Sequence, residues 1–451
     1  MDKVILHIKT GVHCHNLPER VKDVIKEHLT FRNKKHDDAL KMGKFSAEPA
    51  FFYFYSEDDI ARSIYIPRGY FYYLKSLLNK WKIEYKVTDD TMMFDKIDIE
   101  FHGELRVYQD DAVYAMALYP NGVLEAATGS GKTVMGCGLI AVRKQPTLII
   151  VHNKELLYQW KDAVKQFLDY DAGLIGDGKN SMKEITIGII NSVRNKVDDL
   201  CDQFGMIVID ETHRCPSKTW TETLTNFQAR YTLGLSATPF RRDGLGKAIK
   251  AFIGPALHKV DLDKLEKEGA VLRPNIYRIS TNFFGGFNAP YPTIIKNLTE
   301  NIARNDLIAR TARLDLERYG EAVLIVTDRV EHCERIQKSL KKYYVNSDIL
   351  HGKLPTSERS RIVGRIKSGK SKTIIATISL IGEGFDCPDL SALLMTTPIK
   401  FSGRILQIIG RILRPKEGKE PRVYDFRDNK VPMLLNSGNA RDKIYDAQWG
   451  C

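Results

Sequence analysis

The sequence predicts an α/β protein built as two tandem parallel-sheet lobes preceded by a small α+β N-terminal domain. Three observations carry that prediction. Short apolar runs, each too brief for a helix, alternate with amphipathic segments over the middle of the chain. The same rhythm returns in the last third, and an aromatic-rich stretch of different texture comes before both. A length of 451 residues leaves room for two or three compact units. The expected division is an accessory domain over 1–86, a first lobe over 87–262, an irregular connector over 263–298 and a second lobe over 299–451.

The first region holds the runs FFYFY (51–55) and YFYY (70–73) among polar helices. Most of these rings are expected to fill a small core. Arg32, Lys34, Lys35, Lys41 and Lys44 around them can grip duplex phosphates without reading sequence. In the second region 147–152 (TLIIVH), 185–190 and 206–210 (MIVID) read as buried strands, with helices over 154–168 and 217–227. Buried strands joined by crossover helices make a parallel sheet. In the third region the strands are 322–326, 349–350, 373–376 and 392–395, and the helices 329–343, 356–367 and 403–411. Between the lobes, Arg273-Pro274 and the Gly/Pro/aromatic stretch 283–290 read as irregular. Two similar units in tandem imply a cleft, which is where a ligand would sit.

Composition narrows the class. Apolar residues make up 43% and charged residues 27%, ordinary values for a chain with real cores. No apolar run reaches the ~18 residues that cross a bilayer, and the first twenty residues lack the pattern of a secretory signal. The expected location is the cytoplasm, with no membrane partner. A net charge of +12 suits a polyanionic partner, although basic proteins need not bind nucleic acid. The stretch 338–372, with ten Lys/Arg against two acids, favours such a partner further. Seven cysteines form no Cys-x-x-Cys pair, so neither a zinc ribbon nor a redox motif is indicated. His13-Cys14-His15 resembles a metal site only superficially, because neighbours on a strand point to opposite faces and no second ligand pair follows. Unpaired thiols fit a reducing compartment.

The chemistry begins at 124–133, LEAATGSGKT, a strand running into a Gly-rich turn and a helix. Gly129 and Gly131 let Ala126, Ala127, Thr128 and Ser130 curl so that successive N–H groups face a phosphate chain. Lys132 places a cation at the outer phosphates. Thr133 offers a hydroxyl to Mg²⁺ at a helix start whose dipole favours anions. The strict pattern opens on Gly, where this chain has Ala126, and a Gly-rich loop can join strand to helix without any ligand. The second signal is VIDETHR (208–214), two acids at the end of an apolar strand about eighty residues later. Asp210 can hold Mg²⁺, and Glu211 can orient or deprotonate an attacking water, which makes the reaction hydrolysis. Asp-Glu after a strand is otherwise only the polar start of a loop. Ser236 and Thr238 in SATP follow another strand end and can relay the state of the phosphate site. By itself that tripeptide is a turn.

Taken in order, these motifs resemble superfamily 2 helicases over 103–415. Arg106 and Gln109 in LRVYQ match the adenine-sensing segment of that family, AATGSGKT its motif I, and 150–160 (IVHNKELLYQW) a variant of motif Ia. DETH matches motif II, with His213 as the link between ATP and nucleic acid. SATPFRRDG looks like motif III, ILHGK and ATISLIGEGFDCP like motifs IVa and V, and QIIGRILR (407–414) like motif VI. The resemblance implies RecA-like lobes that use ATP and Mg²⁺, with Gly384 and Asp386 facing ATP. It makes Arg414 the arginine finger and Arg411 its companion, three apart on one helix; without the other motifs they would be solvated charges. It adds Gln407 to the coupling set of His213, Ser236 and Thr238. It implies nucleic-acid contacts from Asn153, Arg241, Lys353 and Thr377.

The layout is most similar to phage branched-DNA helicases, whose small N-terminal domain ends in a strand-turn-helix like 64–80 (IYIPRGYFYYLKSLLNK). That likeness implies 3′-to-5′ action on forks, D-loops, R-loops or Holliday junctions in replication, recombination or repair, and host cytoplasm if the chain is phage-encoded. Three alternatives stand beside it. DEAH-type RNA helicases usually carry long C-terminal domains, for which little chain remains after motif VI. A restriction-type double-strand translocase should accompany a nuclease or methyltransferase constellation, which is not found. A binding module with a decayed ATPase would not keep Lys132, Asp210, Glu211 and Arg414.

Overall fold

The computed structural model describes residues 3–450 apart from 44, 59, 216, 238–245, 286–288, 382–386, 388, 400 and 401. Its first sheet has five strands in the order Ser56–Asp58, Ser63–Pro67, Gly11–His15, Val4–Ile8, Tyr85–Asp89. In VILHI the side chains alternate, so Val4, Leu6 and Ile8 face inward. They pack with Val21, Ile25 and Leu29 of helix Glu19–Leu29 and Leu74 and Leu78 of helix Phe71–Lys80. Cys14 lies in this core, while His13 is exposed on the other face. Among the described residues no group of three or more His, Cys, Asp or Glu is gathered as a metal site. The aromatics divide between core and surface: Tyr70 is buried, whereas Phe51 and Tyr53 are exposed.

The expected boundary at 86 falls inside a strand. Tyr85–Asp89 runs parallel to Val4–Ile8, so residues 87–89 complete the first sheet instead of opening the next lobe. Apart from the three loop residues Thr128–Ser130, everything up to Val260 forms one compact unit. The joint within it is tight. Arg68 is buried and donates to the Ala229 carbonyl at 2.5 Å and to the Thr232 hydroxyl at 2.6 Å. A Cβ at Gly69 would lie 2.4 Å from the Gly254 nitrogen, so only glycine permits this approach. Phe54 meets Phe252 edge-on at 5.0 Å.

The second sheet has eight strands, ordered Lys179–Ser181, Gly173–Gly176, Ile185–Ile189, Thr147–Val151, Met206–Asp210, Tyr231–Ser236, Asn121–Ala126, Ala256–Val260. All neighbours are parallel except the first pair. Thr147–Val151 and Met206–Asp210 are buried at every position, as strands covered on both faces must be. The helix expected over 217–227 is shorter, Lys218–Leu224. Thr223 and Thr225 turn their hydroxyls back onto the Thr219 and Thr221 carbonyls, a bond that competes with helix continuation.

The second unit, from Asp261 onward, is built on six parallel strands: Asn275–Ser280, Arg422–Arg427, Leu390–Met395, Ala322–Thr327, Thr373–Thr377, Asp348–Leu350. Its first strand corrects the reading of 263–298 as irregular. That segment carries helix Leu262–Lys267, strand Asn275–Ser280 and the start of helix Tyr291–Glu300. NIYRIS is an edge strand, exposed at four of six positions, so its apolar pattern is faint. Its order comes from the ladder to Arg422–Arg427, where Tyr277 stacks on its partner Tyr424 at 5.1 Å.

Buried ion pairs tie the helices of this unit to its sheet. Arg422 clasps Asp315 through two nitrogens at 2.7 and 3.2 Å, Arg441 holds Asp425, and Arg304 holds Asp428 at 2.8 and 3.0 Å. No helix among the described residues is long and apolar enough to cross a membrane.

Candidate active site

Strand Asn121–Ala126 delivers the chain into the Gly-rich loop, and helix Lys132–Arg143 carries it away. Gly129 and Gly131 both have positive φ, +91° and +79°, the region that glycine enters without penalty. A Cβ at Gly131 would also lie 2.5 Å from Nε2 of Gln109, so the Gln109 amide rests against the loop. Gln109 is buried, and its Oε1 accepts the Arg106 N–H at 3.0 Å, while the Arg106 side chain is exposed. Lys132 Nζ donates to the carbonyls of Ala126 (2.9 Å) and Ala127 (3.3 Å). Thr133 follows in the first helical turn, where backbone N–H groups lack helical partners and attract anions.

Strand order brings the acids to the same edge. Tyr231–Ser236 lies between Asn121–Ala126 and Met206–Asp210, all three parallel, with Asp210 opposite Leu235 and Ser236 opposite Glu125. The carboxyl ends of strands are where open α/β sheets bind ligands. Two strand spacings, ~10 Å, separate the acid strand from the loop strand.

Asp210 is 6% exposed. Its Oδ2 accepts Trp160 Nε1–H at 3.0 Å and its Oδ1 accepts the Glu211 N–H at 2.9 Å. Burial, then the charge of Glu211, pushes the Asp210 carboxyl above the usual range. Glu211 moves the other way. Burial opposes its ionisation, but His213 beside it, followed by the charges of Lys132 and His152, holds it down to about 2. His213 Nδ1 lies 3.0 Å from Glu211 Oε2. The Glu211 backbone is left-handed (φ +54°, ψ +53°), which costs a non-glycine residue about 1–2 kcal/mol. Strain of this kind persists where packing over-determines a functional geometry.

This arrangement suits a nucleotide with a hard divalent cation. A buried carboxylate held only by N–H groups keeps lone pairs for a cation, and a nearby hydroxyl adds a second oxygen. Asp210 and Thr133 could hold Mg²⁺. Glu211 stays ionised at neutral pH and can accept a hydrogen bond from water.

The remaining predicted residues are placed less uniformly. Arg411 and Arg414 do not share a helix, because Ser402–Ile409 ends before them. Gly410 disfavours helix, the bonds tighten to three-residue spacing (Arg411 N–H to the Ile408 carbonyl, Ile412 N–H to that of Ile409), and Pro415 disfavours a helical Arg414. Gln407 is half-buried on that helix. Asn153, expected as a nucleic-acid contact, caps helix Lys154–Leu168 by accepting the Leu156 N–H at 2.9 Å. Thr377 is buried at a strand end and Ser236 is fully buried, whereas Lys353 is exposed. Thr238, Arg241, Gly384 and Asp386 lie outside the described residues. Sequence reasoning passed over Trp160. On an amphipathic helix it reads as one more core residue, and no spacing reveals that its N–H reaches the acid.

Known proteins share this plan. Residues 102–241 match the family of the type III restriction enzyme res subunit, and 304–416 the helicase conserved C-terminal domain. The probable helicase D10 of Escherichia phage T5 is 30% identical over 308 residues, 67% of this chain and 67% of that protein. The chain belongs to the superfamily 2 helicases. As such it is an ATP-dependent helicase. The DNA 3′-5′ translocase XPB2 of Sulfurisphaera tokodaii is 26% identical over 350 residues, covering 70% of this chain and 79% of that protein. Among solved structures, the fragment of a putative HsdR subunit of a type I restriction enzyme from Vibrio vulnificus shares the fold. It has a TM-score of 0.59 at 19% identity, over 77% of this chain and 67% of that one.

Proposed function

We propose that this helicase couples ATP hydrolysis to 3′-to-5′ movement on DNA and remodels branched substrates such as forks, D-loops, R-loops and four-way junctions. The observation that carries the ATP part is the shared edge: loop, Lys132 and the Asp210–Glu211 pair all stand at the carboxyl ends of one parallel sheet. The loop N–H groups and Lys132 bind the outer phosphates. Mg²⁺, when bound at Asp210 and Thr133, offsets phosphate charge. Gln109 and Arg106 take the adenine end. Glu211 orients a water, whose oxygen bonds to the γ-phosphorus as the bridging oxygen to the β-phosphate leaves with the electron pair, and the water's proton passes to an oxygen of the released phosphate. Its low pKa suits orientation of that water more than storage of its proton. Arg414, with Arg411, is assigned the charge spread over the transferred phosphoryl oxygens. His213, Ser236, Thr238 and Gln407 pass nucleotide state to the strand-binding segments, for which Arg241 and the exposed Lys353 remain the candidates.

DNA and polarity rest on the similarity to proteins named as DNA 3′-5′ translocase and phage helicase. Branch preference is assigned to the N-terminal region, whose helix Lys34–Lys41 exposes Lys34, Lys35 and Lys41. Deleting that region would strip Arg68, Gly69 and Phe54 from the ATP-binding part, so substitution on the full chain is the proper probe. Strand separation and ATPase activity should be measured on forked, three-way, four-way, RNA-containing and simply tailed substrates. Branched DNA should be preferred, and Lys34→Glu/Lys35→Glu/Lys41→Glu should erase the preference while keeping single-strand-stimulated ATPase. Equal activity on tails, or a preference for RNA, would overturn this reading.

A further inference from the structure

Trp160 belongs to no role assigned above. Its helix Lys154–Leu168 buries Leu156, Leu157, Ala163 and Val164 alongside it, an ordinary apolar face. The indole is completely buried, yet two of its contacts are specific. One edge abuts the backbone of the helix that follows the phosphate loop: a Cβ at Gly136 would lie 2.7 Å from its Cη2. The pyrrole edge donates Nε1–H to Asp210 Oδ2 at 3.0 Å, while the Glu211 N–H occupies Oδ1 at 2.9 Å. A buried indole N–H needs some partner. Here the partner is the strand-end acid, and each of its oxygens is pinned by one donor. Rotation of the carboxylate is thereby fixed, and each oxygen keeps a lone pair for another ligand.

We propose that Trp160 is a positioning residue: it sets the Asp210 carboxylate for the divalent cation that accompanies the nucleotide, and its contact at Gly136 keys that carboxylate to the phosphate-loop helix. The inference rests on the reading of Asp210 as a ligand of that cation. Groups that orient a metal's ligands commonly contribute about 10–100-fold in metal affinity.

The test uses the full chain and a fluorescent ADP analogue, titrated in EDTA and over a range of Mg²⁺. Trp160→Phe keeps an aromatic ring in the core but removes the N–H together with the far end of the indole that meets Gly136. Nucleotide affinity in EDTA should stay within about twofold of the parent, while the Mg²⁺ concentration that half-maximally strengthens binding should rise by about tenfold or more. Unchanged Mg²⁺ dependence would overturn the proposal, as would an equal loss of affinity with and without Mg²⁺, which marks a packing role only. Should the variant not fold, the ¹⁵N indole resonance of Trp160 in the parent serves instead, assigned by replacing Trp81, Trp220 and Trp449 in turn. Added Mg²⁺ should shift it when ADP is present, and an unmoved resonance contradicts the proposal. Asp210→Asn separates the two layers. If it too leaves Mg²⁺ dependence intact, the reading of Asp210 has failed and the proposal with it.

Discussion

The two units bury acids in opposite ways. In the second, Asp315, Asp425 and Asp428 are each clasped by a guanidinium, with a tyrosine or threonine hydroxyl completing the shell. In the first, Asp210 is as deeply buried but has only two N–H donors, and among the described residues no ammonium or guanidinium forms an ion pair with it. Taking a charge out of water costs several kcal/mol unless a counter-charge is supplied. The second unit supplies it from its own chain, as a fastener between helix and sheet. The first, among the described residues, pairs no cation with Asp210, and the charge of Lys132 reaches it without an ion pair. Perturbed acids that the fold does not neutralise are functional-site candidates for this reason.

Substitutions can break that contrast, and the largest effect is expected at the loop. Lys132→Ala should reduce ATP turnover to background while nucleic-acid binding persists, as read by phosphate release and by filter binding. Wild-type turnover would remove the phosphate-site assignment. Glu211→Gln should slow hydrolysis by roughly 10²–10⁴-fold with nucleotide affinity retained, because the neutral amide no longer orients the attacking water as the carboxylate does. Loss of nucleotide binding with normal turnover per bound ATP would contradict that role. Arg414→Ala should lower turnover by about 10³-fold without moving the unfolding midpoint; unchanged turnover would pass the role to Arg411 or another cation. On the other side of the contrast, Arg422→Met should leave Asp315 buried without its partner and destabilise the second unit by about 3–5 kcal/mol in denaturant titration. A loss below about 1 kcal/mol would mean that the pair is not the fastener described.

What the sequence discloses follows the range of the forces involved. The strands 147–151 and 206–210 are legible because full burial demands uninterrupted apolar runs. The phosphate loop is legible because its glycines and Lys132 answer to local backbone geometry. The strand Asn275–Ser280 is not, since an edge strand is defined by its distant ladder partner and not by its own pattern. The break between Ile409 and Arg411 was readable in principle from Gly410 and Pro415, but the three-residue spacing of the arginines outweighed those signals. Asn153 and Trp160 fall to a third cause. A helix cap and a buried indole look alike in sequence whatever their side chains touch, and only the fold brings Trp160 to an acid fifty residues away.

The comparison of buried acids is tested most directly by the thermal midpoint of Asp210→Asn against the parent, each measured alone and with saturating Mg²⁺ and a non-hydrolysable ATP analogue. Removing a buried charge that has no ion-pair partner among the described residues should leave the unliganded midpoint unchanged or raised. The midpoint gained on adding Mg²⁺ with the analogue should shrink sharply, since stabilisation by a ligand follows its affinity for the folded state. A variant that is destabilised on its own yet gains as much from Mg²⁺ and nucleotide as the parent would show that Asp210 is a structural acid like Asp315, and the account of the site would fall with it.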